Sequence, residues 1–318
     1  MTAAAEPRPR GPAALVATPP RAVAMALLAG GAISLQVYLN GRLGRELDST
    51  TVASAINNLV AALVALGIVL STRALPRAVA RVRALGRPPL WQWTGGLFGA
   101  ALVLVTTAAA PEVGVALLTV AIVCGSTGGS LAADAAGLAP AGRRPVTVAR
   151  VTGVVLAVLA TVAGALGARG ELQPVLLGLA VLAGGGMAIQ SAANGRLGQA
   201  TGQPFAASLI NSTTGSAVLI VVAAVTLATS HVGRLPAEPA LYLGGVLGAF
   251  VVVVSLTAVA TVGVLRLGLA TVAGQTAGAL VIDLVAPAPG EAVTVGTVLG
   301  VVLTLLAVAV SGVGRRAP

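Results

Sequence analysis

The residues able to do polar chemistry are few, and they recur in pairs. Gln36 and Asn40 are four apart, hence on one face of a helix, and Gln190 and Asn194 repeat the spacing 154 residues later. Asn57 follows the first pair and Asn211 the second, with Asn58 beside Asn57; Gln275 stands alone in an apolar run. Three carboxylates, Glu112, Asp134 and Asp283, border apolar runs. An amide can hydrogen-bond a polar solute, and a carboxyl held in an apolar medium can carry a proton. These are the roles the sequence offers: Gln36, Asn40, Asn57, Asn58, Gln190, Asn194, Asn211 and Gln275 as a substrate path, and Asp134, Asp283 and Glu112 as coupling groups. The competing role for the amides is hydrogen bonding between helices, and for Asn40 and Asn194 helix capping before a glycine. For Asp134 and Asp283 the competing role is that of an interfacial helix end.

Other chemistries lack their residues. There is one histidine, His231, and one cysteine, Cys124, so no disulfide, HExxH motif or cysteine metal cluster can form. Every basic residue is arginine, which excludes the lysine of a P-loop. No catalytic constellation, metal site or cofactor is expected.

The elements that position the amides follow from composition. Of 318 residues 57% are apolar and 9% charged, whereas a soluble protein carries about 25% charged residues. Lipid is therefore the expected solvent. The net charge of +10 with 2% aromatics suits basic loops between membrane spans better than nucleic-acid binding, which needs stacking platforms. Stretches long enough to span are expected at 22–41, 50–71, 90–109, 112–135, 147–167, 174–193, 204–229, 239–260, 263–285 and 293–313. Gly95/Gly99, Gly125/Gly129, Gly244/Gly248 and Gly274/Gly278 have the GxxxG spacing of close helix packing.

The chain repeats itself. Asn40-Gly41-Arg42-Leu43-Gly44 recurs as Asn194-Gly195-Arg196-Leu197-Gly198, and Ala53-Ser54 with Asn57 as Ala207-Ser208 with Asn211. Gly95-Gly96 and Gly99-Ala100 recur as Gly244-Gly245 and Gly248-Ala249, the stretch ending at Asp134 as that ending at Asp283, and Val146-Thr147-Val148 as Val293-Thr294-Val295. The fold class expected is all-α: a polytopic membrane protein of about ten transmembrane helices in two inverted five-helix repeats. The divisions are a disordered cytoplasmic leader 1–21, repeats 22–170 and 171–313, and a tail 314–318. The recurrence of the first span inside the chain argues against a cleaved signal peptide. An odd number of spans per repeat inverts the second. With the N-terminus inside, fifteen of the nineteen arginines are cytoplasmic and only Arg42, Arg45, Arg169 and Arg234 lie outside. The amides of the first repeat then fall in the outer half of the bilayer and those of the second in the inner half.

The repeated G-G-x-x-x-x-Q-x-x-x-N-G-R-L-G, its following Asn, and G-Q-T-x-G-x-x-x-x-D from Gly274 to Asp283 resemble the bacterial YdcZ-type (DUF606) membrane proteins of the drug/metabolite transporter superfamily. The likeness implies an inner-membrane exporter of small molecules, with the lipid bilayer and a small-molecule substrate as partners. A proton or other ion gradient and pairing into a homodimer stay open, as do substrate and direction. The alternatives are a non-transporting membrane scaffold or regulator, which would have a dry interface between its halves, and an intramembrane enzyme, for which the nucleophile and base are missing. Ser126 in the first half faces Gln275 in the alignment, so the halves are not chemically equivalent there.

Overall fold

The computed structural model describes residues 19–113, 115–164, 173–285 and 295–311. Their regular structure is helical: α1 Pro19–Glu46, α2 Thr50–Ser71, α3 Ala74–Leu85, α4 Gly95–Val113, α5 Val115–Ala135, α6 Val148–Gly164, α7 Pro174–Thr201, α8 Pro204–Thr229, α9 Leu243–Val262, α10 Val264–Val285 and α11 Val295–Ser311. Among the described residues six helical segments are long and apolar enough to cross a membrane by length and composition.

Local chemistry sets the boundaries. Pro174 and Pro204 open α7 and α8, where a missing N–H costs nothing. Ser49 caps α2, its hydroxyl accepting from the Val52 N–H at 3.2 Å. Gly202 closes α7 at φ 64°, and Gly263 separates α9 from α10 at φ 83°; both are left-handed positions that glycine tolerates best. Three sequence expectations need correction. Residues 73–87, expected as a connecting loop between the spans 50–71 and 90–109, contain the helix α3. The third span starts at Gly95 after a 3-10 turn at Leu90–Trp93, not at 90. Glu112 closes this same helix instead of opening the next, because α4 runs through Pro111 to Val113.

Packing explains why the interior is made of small residues. The buried set is dominated by alanine, whereas Leu28, Leu182, Val221 and Leu284 are more than 60% exposed. Lipid is as apolar as leucine, so helices gain by close approach at small residues and leave bulky ones outside. The two halves interlock. α1 packs on α9 and α10, and α7, its repeat counterpart, on α4 and α5; α2 meets α8, and α6 meets α11.

The connections gather at two ends. At one, the Gly233 N–H donates to the Leu47 carbonyl at 2.9 Å and Arg42 pairs with Glu238 at 3.2 Å, joining the α1–α2 turn to the α8–α9 connection. At the other, Arg196 of α7 donates to the Leu138 and Gly137 carbonyls at 3.0 and 2.7 Å. There α3 packs on α7 and α8, and a Cβ added at Gly202 would lie 3.0 Å from Arg81 Cδ.

Candidate functional site

The structure gathers the repeated amides into two clusters, each built against a glycine face of the opposite repeat. In the first, Asn211 Oδ1 accepts from Asn194 Nδ2 at 2.8 Å and from Gln190 Nε2 at 3.2 Å. Gly95, Gly96 and Gly99 of α4 make the room. A Cβ at Gly95 would collide with Asn194 Oδ1, one at Gly96 with the Asn211 carbonyl, and one at Gly99 would lie 3.2 Å from Gln190 Nε2. In the second cluster Gln36 and Asn40 of α1 and Asn57 of α2 face Gly244 and Gly248 of α9. A Cβ at Gly244 would lie 2.6 Å from Asn40 Oδ1 and 2.9 Å from Asn57 Oδ1, and one at Gly248 3.1 Å from Gln36 Nε2.

The clusters match in position and differ in bonding. The Asn40 and Asn57 Oδ1 atoms are both buried without a hydrogen-bond partner. Buried acceptors are rarely left so, because each forfeits its hydration without replacement. Asn58, the next residue, is half-buried, and its side chain has no hydrogen bond among the described residues.

The remaining GxxxG pairs have a different task. A Cβ at Gly125 would strike the Val181 carbonyl, and one at Gly129 would lie 2.9 Å from Gly185 Cα; on the other side, one at Gly274 would strike the Leu27 carbonyl and one at Gly278 would lie 2.9 Å from Gly31 Cα. Here backbone meets backbone: α5 on α7, and α10 on α1. Gln275 is half-buried on α10. Its carbonyl accepts the Ser34 hydroxyl, and its side chain has no hydrogen bond among the described residues. Ser126, its counterpart, is turned back on α5, donating to the Val123 carbonyl at 3.2 Å.

Asp134 belongs to a different assembly. It is fully buried; its Oδ1 accepts from the Val264 N–H at 2.9 Å and its Oδ2 from the Leu265 N–H at 3.2 Å, capping α10. Arg150 donates to the same Oδ2, forming an ion pair whose arginine side chain is 11% exposed. Arg144 meanwhile donates to the Val262 carbonyl and, at 3.0 Å, to that of Thr261, covering the end of α9. A carboxylate at a helix N-terminus and a guanidinium at a C-terminus both oppose the helix dipoles. The joint at Gly263 is thus clamped by residues of the first repeat. Asp283 and Glu112 lie in the last turns of α10 and α4, and their side chains fall outside the described ones.

Sequence reasoning alone did not find the arginine clamp. Its trace lies in the repeat alignment: where the first half has Arg144 and Arg150, the second has Glu291 and Thr297. Cys124 is half-buried in α5 and His231 is exposed. No group of three His, Cys, Asp or Glu occurs among the described residues.

An all-helical chain with glycine and alanine between its helices and bulky aliphatic residues outside is a multi-pass membrane protein. It belongs to the YdcZ branch of the drug/metabolite transporters, described as "Putative inner membrane exporter, YdcZ", whose profile matches residues 21–163 and again 175–310. The family resemblance, the membrane setting and the two-repeat organisation read from the sequence are therefore borne out. A crystal structure described only as that of a protein is similar in fold, with a TM-score of 0.65 and 17% identity over 92% of this chain and 95% of the other. The search of curated proteins returned no match.

Proposed function

We propose that the protein is a secondary transporter that exports a small molecule across the bacterial inner membrane by alternating access of two inverted five-helix repeats, 22–170 and 171–313. Both termini face the cytoplasm, and ten of the helices span the bilayer while α3 does not. The observation that carries the reading is the pair of amide clusters, each held between one repeat and a glycine face of the other. In support of inversion, the α1–α2 turn contacts the α8–α9 connection, whereas the equivalent α7–α8 turn contacts α3. Inverted repeats of this kind rock about a central site in many secondary transporters.

Gln36, Asn40, Asn57 and Asn58 form the outer part of the path, Gln190, Asn194 and Asn211 the inner part, and Gln275 lies between them. The open acceptors on Asn40 and Asn57 favour a substrate that donates hydrogen bonds. Asp134, Asp283 and Glu112 are the coupling candidates; of these, Asp134 accepts from two N–H groups and an arginine.

Culture media are compared by mass spectrometry for cells producing the native protein, Gln36→Leu, Gln190→Leu or Gln275→Leu at matched abundance. At least one polar metabolite should accumulate with the native protein and fall about tenfold in each variant, the loss expected when one amide contact worth ~1.4 kcal/mol is removed from a path. Media indistinguishable from those of cells lacking the protein would contradict export. Unchanged export with lowered melting temperatures would reduce the three glutamines to helix packing.

A further inference from the structure

We infer that α3 is a docking surface for the anionic phospholipid headgroups of the leaflet at its end of the protein. The helix is amphipathic in three sectors. Ala74 and Ala78 are buried and Val82 half-buried, seating it on α2, α7 and α8. Leu75 and Val79, one residue on from that seam, are 44% and 38% exposed and form a short apolar strip beside it. The remaining face carries Arg77, Arg81 and Arg83, all exposed, with Arg73 and Arg87 just beyond the ends. A helix seated on protein, greasy on the flank and basic on the outside lies along the lipid–water boundary.

The charge is not neutralised by the protein. No acidic residue occurs between Asp48 and Glu112, and none of the five arginines is ion-paired among the described residues. Five guanidiniums without a carboxylate partner, of which Arg77 also donates to the Thr72 carbonyl at 3.2 Å, beside exposed leucine and valine fit phosphate headgroups above acyl chains. The second repeat folds without an equivalent: residues 230–242 contain only a 3-10 turn at Pro239–Tyr242, and the only arginine there, Arg234, is followed by Glu238.

The only tryptophans, Trp91 and Trp93, lie in the turn that follows α3 and are both half-buried, so their fluorescence reports on lipid at this spot. The full-length protein is reconstituted into phosphatidylcholine containing increasing brominated phosphatidylglycerol or brominated phosphatidylcholine. Half-maximal quenching should need a roughly threefold lower mole fraction of the anionic quencher, as expected when basic residues concentrate anionic lipid. The triple change Arg77→Gln, Arg83→Gln and Arg87→Gln, which leaves Arg73 and Arg81, should bring the two quenching midpoints close together; lysine at the same positions should keep them apart. Emission spectra in pure phosphatidylcholine verify that the variants fold alike. Equal quenching by both lipids, or a preference that the glutamine changes leave undiminished, would overturn the assignment.

Discussion

Replacement of Asp134 by asparagine is expected to destabilise the protein severely. The change strands Arg150 in a nearly buried position and turns an amide N–H₂ toward either the guanidinium or the first N–H groups of α10. Removing one partner of a buried ion pair costs about 3–5 kcal/mol, and loss of a helix cap adds about 1 kcal/mol. Purified Asp134→Asn should melt far below the native protein in the same detergent and reach the membrane in lower amounts. Arg150→Met should be damaging alone but add little to Asp134→Asn, since the two remove one interaction. A variant that melts normally and loses only gradient-driven export would instead make Asp134 a coupling group.

The second large effect concerns glycine, where one substitution should act oppositely at two kinds of site. At Gly274 or Gly30 a methyl group has nowhere to go: it meets the Leu27 carbonyl in one case and the Thr271 carbonyl in the other. Neither atom can rotate away, so α1 and α10 must part. Overpacking of this kind costs about 1–3 kcal/mol even where side chains can adjust, so Gly30→Ala and Gly274→Ala should lie at or beyond the upper end. At Gly67 nothing lies within 4 Å of the added Cβ, and alanine is the better helix former. Gly67→Ala should therefore melt at or slightly above the native temperature. Similar melting of all three variants would mean that α1 and α10 are not in backbone contact.

Much of this was legible in the sequence because it is written twice. The repeat of Asn40–Gly44 at Asn194–Gly198 located equivalent helices, and apolar runs placed most of their ends within a few residues. The amides and glycines could be selected from residue type alone. What could not be read is which surfaces meet. GxxxG spacing is the same for Gly95/Gly99 and Gly125/Gly129, yet the first pair admits amide side chains and the second admits another backbone. The helix α3 escaped because Pro76 and five arginines in a short segment resemble a loop, and its burial depends on α7 and α8. The clamp escaped because it joins Asp134 to Val264, 130 positions away, across the boundary between repeats.

The proposal rests most heavily on inversion of the two repeats, which cysteine accessibility tests directly. In a protein whose Cys124 has been replaced by alanine, one cysteine is introduced at Ala80 in α3 and, separately, one at His231 in the α8–α9 connection; both native side chains are exposed. A membrane-impermeant thiol reagent is applied to intact cells, made permeable to it at the outer membrane only, and then to cells opened completely. Labelling at 231 in the first condition and at 80 only in the second is the predicted result. Labelling of both positions from the same side would contradict the inverted arrangement and the alternating-access reading built on it.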